Sequence, residues 1–163
     1  LSATYMVGNL LYRLITSREF EAALRRDPTN IPRAVEESLR YEAPVAFLWR
    51  TARADSQIGS TPVFKGEHIM CHITAGNRDP EAYPDPESFR LDRIDPPEHL
   101  AFGSGPHLCL GNHLTRLIGR IVLEEMLAIL AKTKIELAPG YVWHCVNHLQ
   151  EYGPETLPIR IAR

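Results

Sequence analysis

Apolar positions along this chain recur at helical spacing in three blocks near its N-terminus and in one long block after Gly111, with shorter runs between and beyond them. Helix residues at i, i+3 and i+4 share a face, whereas strand residues alternate faces. On that rule Leu1 to Ile15 reads as helix, and Ser17 caps a second helix that runs to about Arg25. Asp27-Pro28-Thr29-Asn30 makes a turn, and Asn30 is placed to cap a third helix with Pro32 in its first turn. That helix carries Ile31, Val35 and Leu39 on one stripe and stops near Pro44. Phe47 to Ala54 and His68 to Ile73 read as strands, with Gly59 and Gly66 between them. Asp79 to Pro97 is rich in Pro and Asp and has little periodicity, which predicts a long ordered loop. The longest helix follows, about Gly111 to Lys132, with apolar positions from Leu114 to Leu130. The tail sets strand-like runs, Ile135 to Leu137, Tyr141 to Val146 and Leu157 to Ile161, around Pro-Gly turns. The pattern predicts a mainly α chain with small β-sheets (α+β), without internal repeat or linker.

Composition narrows the class. The 163 residues allow one domain with a real core, since domains of ~150 residues bury about 68–70% of their unfolded surface. A hydrophobic content of 44% and a net charge of −2 point away from disorder and from nucleic-acid binding. No run of ~20 apolar residues is present, so no membrane span is expected. Three cysteines, Cys71, Cys109 and Cys145, are too few and odd in number for a disulfide framework, which favours a reducing, cytoplasmic setting. Leu1 to Leu11 opens inside a helical pattern without a cap or a start methionine, as expected of the C-terminal piece of a longer chain.

The densest chemical signal is Phe102-Gly103-Ser104-Gly105-Pro106-His107-Leu108-Cys109-Leu110-Gly111. It puts one thiol on a glycine-rich loop at the start of the longest helix. Unpaired N–H groups and partial positive charge at a helix N-terminus favour thiolate over thiol. Glycines on both sides let the backbone approach something flat and bulky. A cysteine so placed suits metal ligation, because metal-bound thiols are deprotonated outright.

This loop, extended by His99-Leu100-Ala101 before it and Asn112-His113-Leu114-Thr115-Arg116 after it, resembles the cysteine-ligand loop of the cytochrome P-450 superfamily, especially its soluble bacterial members. The resemblance implies the C-terminal half of that fold for residues 1–163, haem b as cofactor, and Cys109 as axial ligand of the haem iron. It places Ala101, Phe102, Gly103, Leu110 and Gly111 around that ligand, with the Leu110 and Gly111 amides donating to the sulfur and Phe102 shielding it. Glu37-Ser38-Leu39-Arg40 fits the family's Glu-x-x-Arg motif, in which the pair is buried and locks onto an arginine from the meander, here Arg93. Such a clamp holds shape and does no chemistry; by spacing alone, Glu37 and Arg40 would be only an exposed ion pair. Arg50 and His107 fall where the family anchors haem propionates. Registering the first helix on Gly8-Asn9 puts Leu1 at the family's acid position and Ser2 at its alcohol position, so Ser2 keeps a donor while Leu1 cannot relay a proton. Val45, Ala46, Gln150 and Glu151 fall where family members line the substrate pocket, and Glu151 there would suit a polar or cationic substrate. The implied activity is a haem-thiolate monooxygenation of a small organic substrate. Electrons would come from NAD(P)H through a ferredoxin and its reductase, with Arg116 and Arg120 as an acidic partner's landing side.

Two other readings compete. Cys71-His72, His107-Leu108-Cys109 and His144-Cys145 offer Cys/His pairs for a zinc module, although adjacent residues on a strand point to opposite faces. The chain is also readable as an inactive, truncated remnant of a haem-thiolate enzyme.

Overall fold

The computed structural model describes residues 1–93 and 98–162. The last positions of the loop expected from Asp79 to Pro97, numbers 94–97, lie outside the described residues.

Three helices open the chain. Helix α1 (Ser2–Thr16) buries Met6, Leu10 and Leu14, four residues apart on one stripe, together with Asn9. It stops at Ser17, whose hydroxyl accepts the Phe20 N–H and so starts α2 (Arg18–Arg26). Phe20 and Leu24 are the buried face of α2. Asp27, not Asn30, does the next capping: its carboxylate accepts from Thr29 N–H and Asn30 Nδ2 across a 3-10 turn, Pro28–Asn30. Asn30 stands at the N-cap of α3 (Ile31–Tyr41) but its side chain bonds back to Asp27 and makes no cap.

The middle of the chain is β. Strand β1 (Phe47–Thr51) is followed by β2 (Ser56–Ile58), β3 (Thr61–Val63) and β4 (His68–His72). Strands β1 and β4 pair antiparallel, with Leu48 opposite Cys71 and Arg50 opposite Ile69. The sequence reading missed the β2–β3 hairpin, treating the stretch as a spacer. Its residues are exposed except Val63, so no apolar alternation marks it, and Pro62 within β3 suits only an edge. Ile73 ends β4's run instead of extending it, opening a single turn α4 (Ile73–Gly76).

The long helix α5 (Asn112–Leu130) buries Gly119, Leu123 and Leu127. A Cβ on Gly119 would lie 3.0 Å from both γ-carbons of Val35 and 3.2 Å from Met6 Sδ, so the glycine sets how closely α5 crosses α3 and α1. These helices share one core, with Phe89, Leu91, Ala101 and Phe102 packed against it. Strands β5 (Lys134–Leu137) and β6 (Ile159–Ala162) form the last antiparallel pair. The expected Tyr141 to Val146 strand is absent; a lone bridge joins Cys145 to Pro154, flanked by the Val146 N–H to Gly153 carbonyl and Glu155 N–H to His144 carbonyl bonds. The tail returns to α1 and α3. Asn9 Nδ2 donates to the carbonyls of Glu42 and Tyr152, and a Cβ on Gly153 would meet Tyr5 Cβ at 2.6 Å. Among the described residues no helix is long and apolar enough to cross a membrane.

Candidate haem-thiolate site

Helix α3 carries two consecutive glutamates, about 100° apart around its axis, and each organises a different neighbour. Glu37 and Arg40 are 5% and 2% exposed. Arg40 forks onto Glu37, Nε to Oε2 and Nη2 to Oε1, both at 2.8 Å. Its remaining donors reach the carbonyls of Asn77, Pro86 and Ser88 at 2.9–3.1 Å. Arg93 Nε meets both Glu37 oxygens at 3.0 and 3.2 Å, and the Arg90 N–H donates to Oε1 at 2.8 Å. Arg93 also donates to the carbonyls of Pro84, Asp85 and Ser88. The pair is therefore no surface salt bridge: two guanidiniums and one carboxylate tie α3 to the stretch 84–93.

Glu36 faces the other way, toward the cysteine loop. Arg116 on α5 donates Nε to Glu36 Oε1 at 2.8 Å and Nη2 to Oε2 at 3.0 Å, while its Nη1 reaches Asn112 Oδ1. His99 Nε2 lies 3.1 Å from Glu36 Oε2, and its Nδ1 accepts the Ala101 N–H at 3.3 Å, which fixes the Nε2–H tautomer. Burial pushes the Glu36 carboxyl up, but hydrogen bonds from His99 and Arg116 and the Arg116 charge outweigh it and lower its pKa from 4.5 to about 2. Arg116, expected on a partner-docking side, has its guanidinium paired with Glu36 and lying over the Phe102 ring, 4.6 Å from its centre. Arg120 is exposed.

The loop between these braces runs through two 3-10 turns, Leu100–Phe102 and Gly105–His107. Gly103 between them has φ +71° and ψ −163°, a region that essentially only glycine occupies. Asn77, fully buried, starts the loop: its Oδ1 accepts the Leu100 N–H at 2.6 Å while its carbonyl takes Arg40. The loop closes where the Cys109 N–H donates to the Phe102 carbonyl at 2.9 Å. Asn112 Nδ2 holds the Cys109 carbonyl at 2.7 Å.

Cys109 is free and exposed, and it lines a cavity of about 250 Å³. Ser2 and Ala3 of α1, Leu39, Pro44, Val45, Leu48, Ile73 and Thr115 supply other walls, and Ala101, Phe102, Gly103 and His107 line it with the cysteine. The sequence-predicted residues therefore sort into groups. Ser2, Val45, Ala101, Phe102, Gly103, His107 and Cys109 are brought together around one space. Gly111 stands beside the sulfur, its notional Cβ 3.8 Å from Sγ, whereas Leu110 points to solvent at 98% exposure. Arg50 does not line the cavity; it shares a strand face with Leu48, which does, and donates to the Trp49 carbonyl. Ala46, Gln150 and Glu151 sit beside Val45, through a Val45–Glu151 bridge and an Ala46 N–H to Gln150 carbonyl bond of 2.7 Å.

The donor chemistry is one soft thiol in a mostly apolar cavity whose polar positions are Ser2, His107 and Thr115, which fits an iron held in a flat apolar ring. Among the described residues no three His, Cys, Asp or Glu side chains converge to hold a metal, and Cys71 and His72 occupy opposite faces of β4. The zinc reading therefore has no cluster to rest on. Sequence reasoning missed Glu36 and Asn77 as builders of this site. Each looks like an ordinary polar residue, and only the long-range contacts distinguish it.

A family model described as Cytochrome P450 matches residues 13–130. Cytochrome P450-terp of Pseudomonas sp. is 36% identical over 156 residues, covering 96% of this chain and 35% of that protein. The 6-deoxyerythronolide B hydroxylase of Saccharopolyspora erythraea is 34% identical, covering 96% and 38%. Among solved structures, CYP109E1 from Bacillus megaterium in complex with corticosterone superposes with a TM-score of 0.90 at 31% identity, over 98% of this chain and 42% of that one. A post-tailoring hydroxylase (HmtN) involved in himastatin biosynthesis gives 0.91 at 31% identity, over 99% and 43%. The chain spans little more than a third of the length of these two curated relatives. With a family model over residues 13–130, a relative 36% identical over 96% of the chain and a superposition at a TM-score of 0.90, the chain belongs to the cytochrome P450 family.

Proposed function

We propose that residues 1–163 are the C-terminal haem-binding portion of a haem-thiolate monooxygenase, with Cys109 as the axial ligand of haem b. The observation that carries this is a free thiol on a doubly braced loop, facing an apolar cavity, in a chain of this family. Haem, when bound, would supply the activation of dioxygen and the insertion of one oxygen atom into a small organic substrate.

The chain's own residues hold, shield and admit. Cys109 would bind the iron as thiolate, and the Leu110 and Gly111 amides just before α5 would donate toward its sulfur. Phe102 and Ala101 keep water from the sulfur's side of the cavity. His107 on the wall and Arg50 on the adjoining strand face would donate to haem propionates; Arg50 makes no ion pair among the described residues. Ser2, on the wall supplied by α1, holds a proton at its hydroxyl oxygen for transfer. Val45, with Ala46, Gln150 and Glu151 beside it, orients substrate. The Glu151 carboxylate interacts with Tyr5 but keeps a buried Oε2 with no hydrogen-bond partner, and a polar or cationic group on the substrate would suit it. Electrons reach the site from NAD(P)H through a ferredoxin and its reductase in the cytoplasm, and Arg120 is an exposed cation on the helix that follows the cysteine.

The test is spectroscopic. The protein loaded with haem, reduced and exposed to CO, gives the far-red-shifted Soret band of thiolate ligation. Cys109→Ala loses that band while circular dichroism keeps the helices. An unchanged pigment spectrum in Cys109→Ala, or colourless wild-type protein carrying stoichiometric zinc, overturns the assignment.

A further inference from the structure

Two of the contacts that shape the cysteine loop are made by side chains with no direct reach to the sulfur. Arg116 lies over the Phe102 ring, and the His99 ring is 5.6 Å from it, centre to centre. Both are held by one carboxylate, Glu36, through bonds of 2.8–3.1 Å. Phe102 in turn supplies the carbonyl that fixes the Cys109 amide. The chain of contact is short: one carboxylate, one guanidinium and one imidazole, one phenyl ring, one peptide, one sulfur.

We propose that Glu36 is a positioning residue for the Cys109 sulfur, acting through His99 and Arg116 on Phe102 and so on the peptide that anchors Cys109. This rests on the haem-thiolate reading for its consequence at iron, but the positioning itself concerns the chain's own hydrogen bonds. It differs from the Glu37 clamp in what it holds. Glu37 ties α3 to the meander and never touches the loop, whereas Glu36 ties α3 to α5 and to the first turn of the loop. His99 contributes twice: it also caps that turn by accepting the Ala101 N–H. Arg116 is planar and bonds Glu36 with two nitrogens, so lysine in its place loses both the fork and the stacking on Phe102.

The experiment reads amide hydrogen exchange in the haem-loaded protein, comparing wild type with Glu36→Gln, Glu36→Asp, Arg116→Lys and the surface control Glu87→Gln. Glu36→Gln and Arg116→Lys are expected to speed exchange at the Cys109 amide about tenfold, the loss of one charge-assisted anchor. Exchange at Leu39 and Arg40 in α3 stays at the wild-type rate, as does every amide in Glu87→Gln. Glu36→Asp keeps a carboxylate and restores part of the protection. In the same preparations, reduced and CO-bound, Glu36→Gln moves part of the Soret absorption away from the thiolate position. Wild-type exchange at Cys109 in Glu36→Gln overturns the proposal, as does equal acceleration throughout α3, which would mean general destabilisation. If the wild type itself lacks a thiolate band, the monooxygenase reading fails, while the exchange comparison still decides the role of Glu36.

Discussion

Glu37→Ala is the perturbation with the largest calculable effect. It removes the acceptor for four side-chain donor contacts from Arg40 and Arg93 and for the Arg90 N–H, all 2.8–3.2 Å long. Arg40 is 2% exposed, so its guanidinium is left in a dry site with carbonyl partners but no counter-charge. Removing one partner of a buried pair costs about 3–5 kcal/mol, against a total stability on the order of 5–15 kcal/mol. With a urea m-value of about 2 kcal/mol per molar, the unfolding midpoint falls by about 1.5–2.5 M. Haem incorporation is lost with it, because the same arginine fixes the Asn77 carbonyl whose side chain starts the cysteine loop. The assay is urea unfolding followed by circular dichroism, with haem content measured on the same samples. Glu87→Ala serves as control: it breaks the Arg78–Glu87 bridge, where Glu87 is 70% exposed, and should cost about 0–1 kcal/mol. A Glu37→Ala midpoint within about 0.3 M of wild type, at normal haem content, refutes the reasoning.

Two further outcomes follow from the same geometry. Gly103→Ala forces a side chain onto φ +71°, ψ −163°, and should cost on the order of 1–3 kcal/mol in thermal unfolding; an unchanged melting temperature contradicts the reading that this glycine shapes the loop. Glu36 has a folded pKa below its unfolded value, so its contribution is present above about pH 4.5 and is lost as pH falls toward about 2. Its side chain is 43% exposed, so solvent screening trims that contribution to about 1 kcal/mol. The stability–pH curve of Glu36→Gln should be flatter than wild type across that window, and parallel curves contradict it.

The helices were legible because each carries its own instructions. Met6, Leu10 and Leu14 repeat at four, Ser17 presents a hydroxyl to Phe20 N–H, and Leu123 and Leu127 repeat again. The β regions were read less well. Strands β1 and β4 were expected with overlong ends, the β2–β3 hairpin was missed, and the Tyr141 to Val146 run did not become a strand. Exposed two-sided strands leave little apolar alternation, and the expected strand there is reduced to one bridge flanked by two backbone hydrogen bonds.

Local sequence alone determined the helices, the glycine-rich loop and the one cysteine at its end, since propensity, capping and periodicity act within a few residues. The family motif added the Glu37–Arg40–Arg93 set as an expectation. What only tertiary structure decided is which polar residues are buried and against whom. Asn77 reaches Leu100, and Glu36 reaches Arg116 eighty positions away. Arg116, read from the sequence as a docking charge, also braces α5 against α3. Hydrogen bonds and charge pairs depend on distance and burial in space, and neither is encoded in the spacing of residues along a chain.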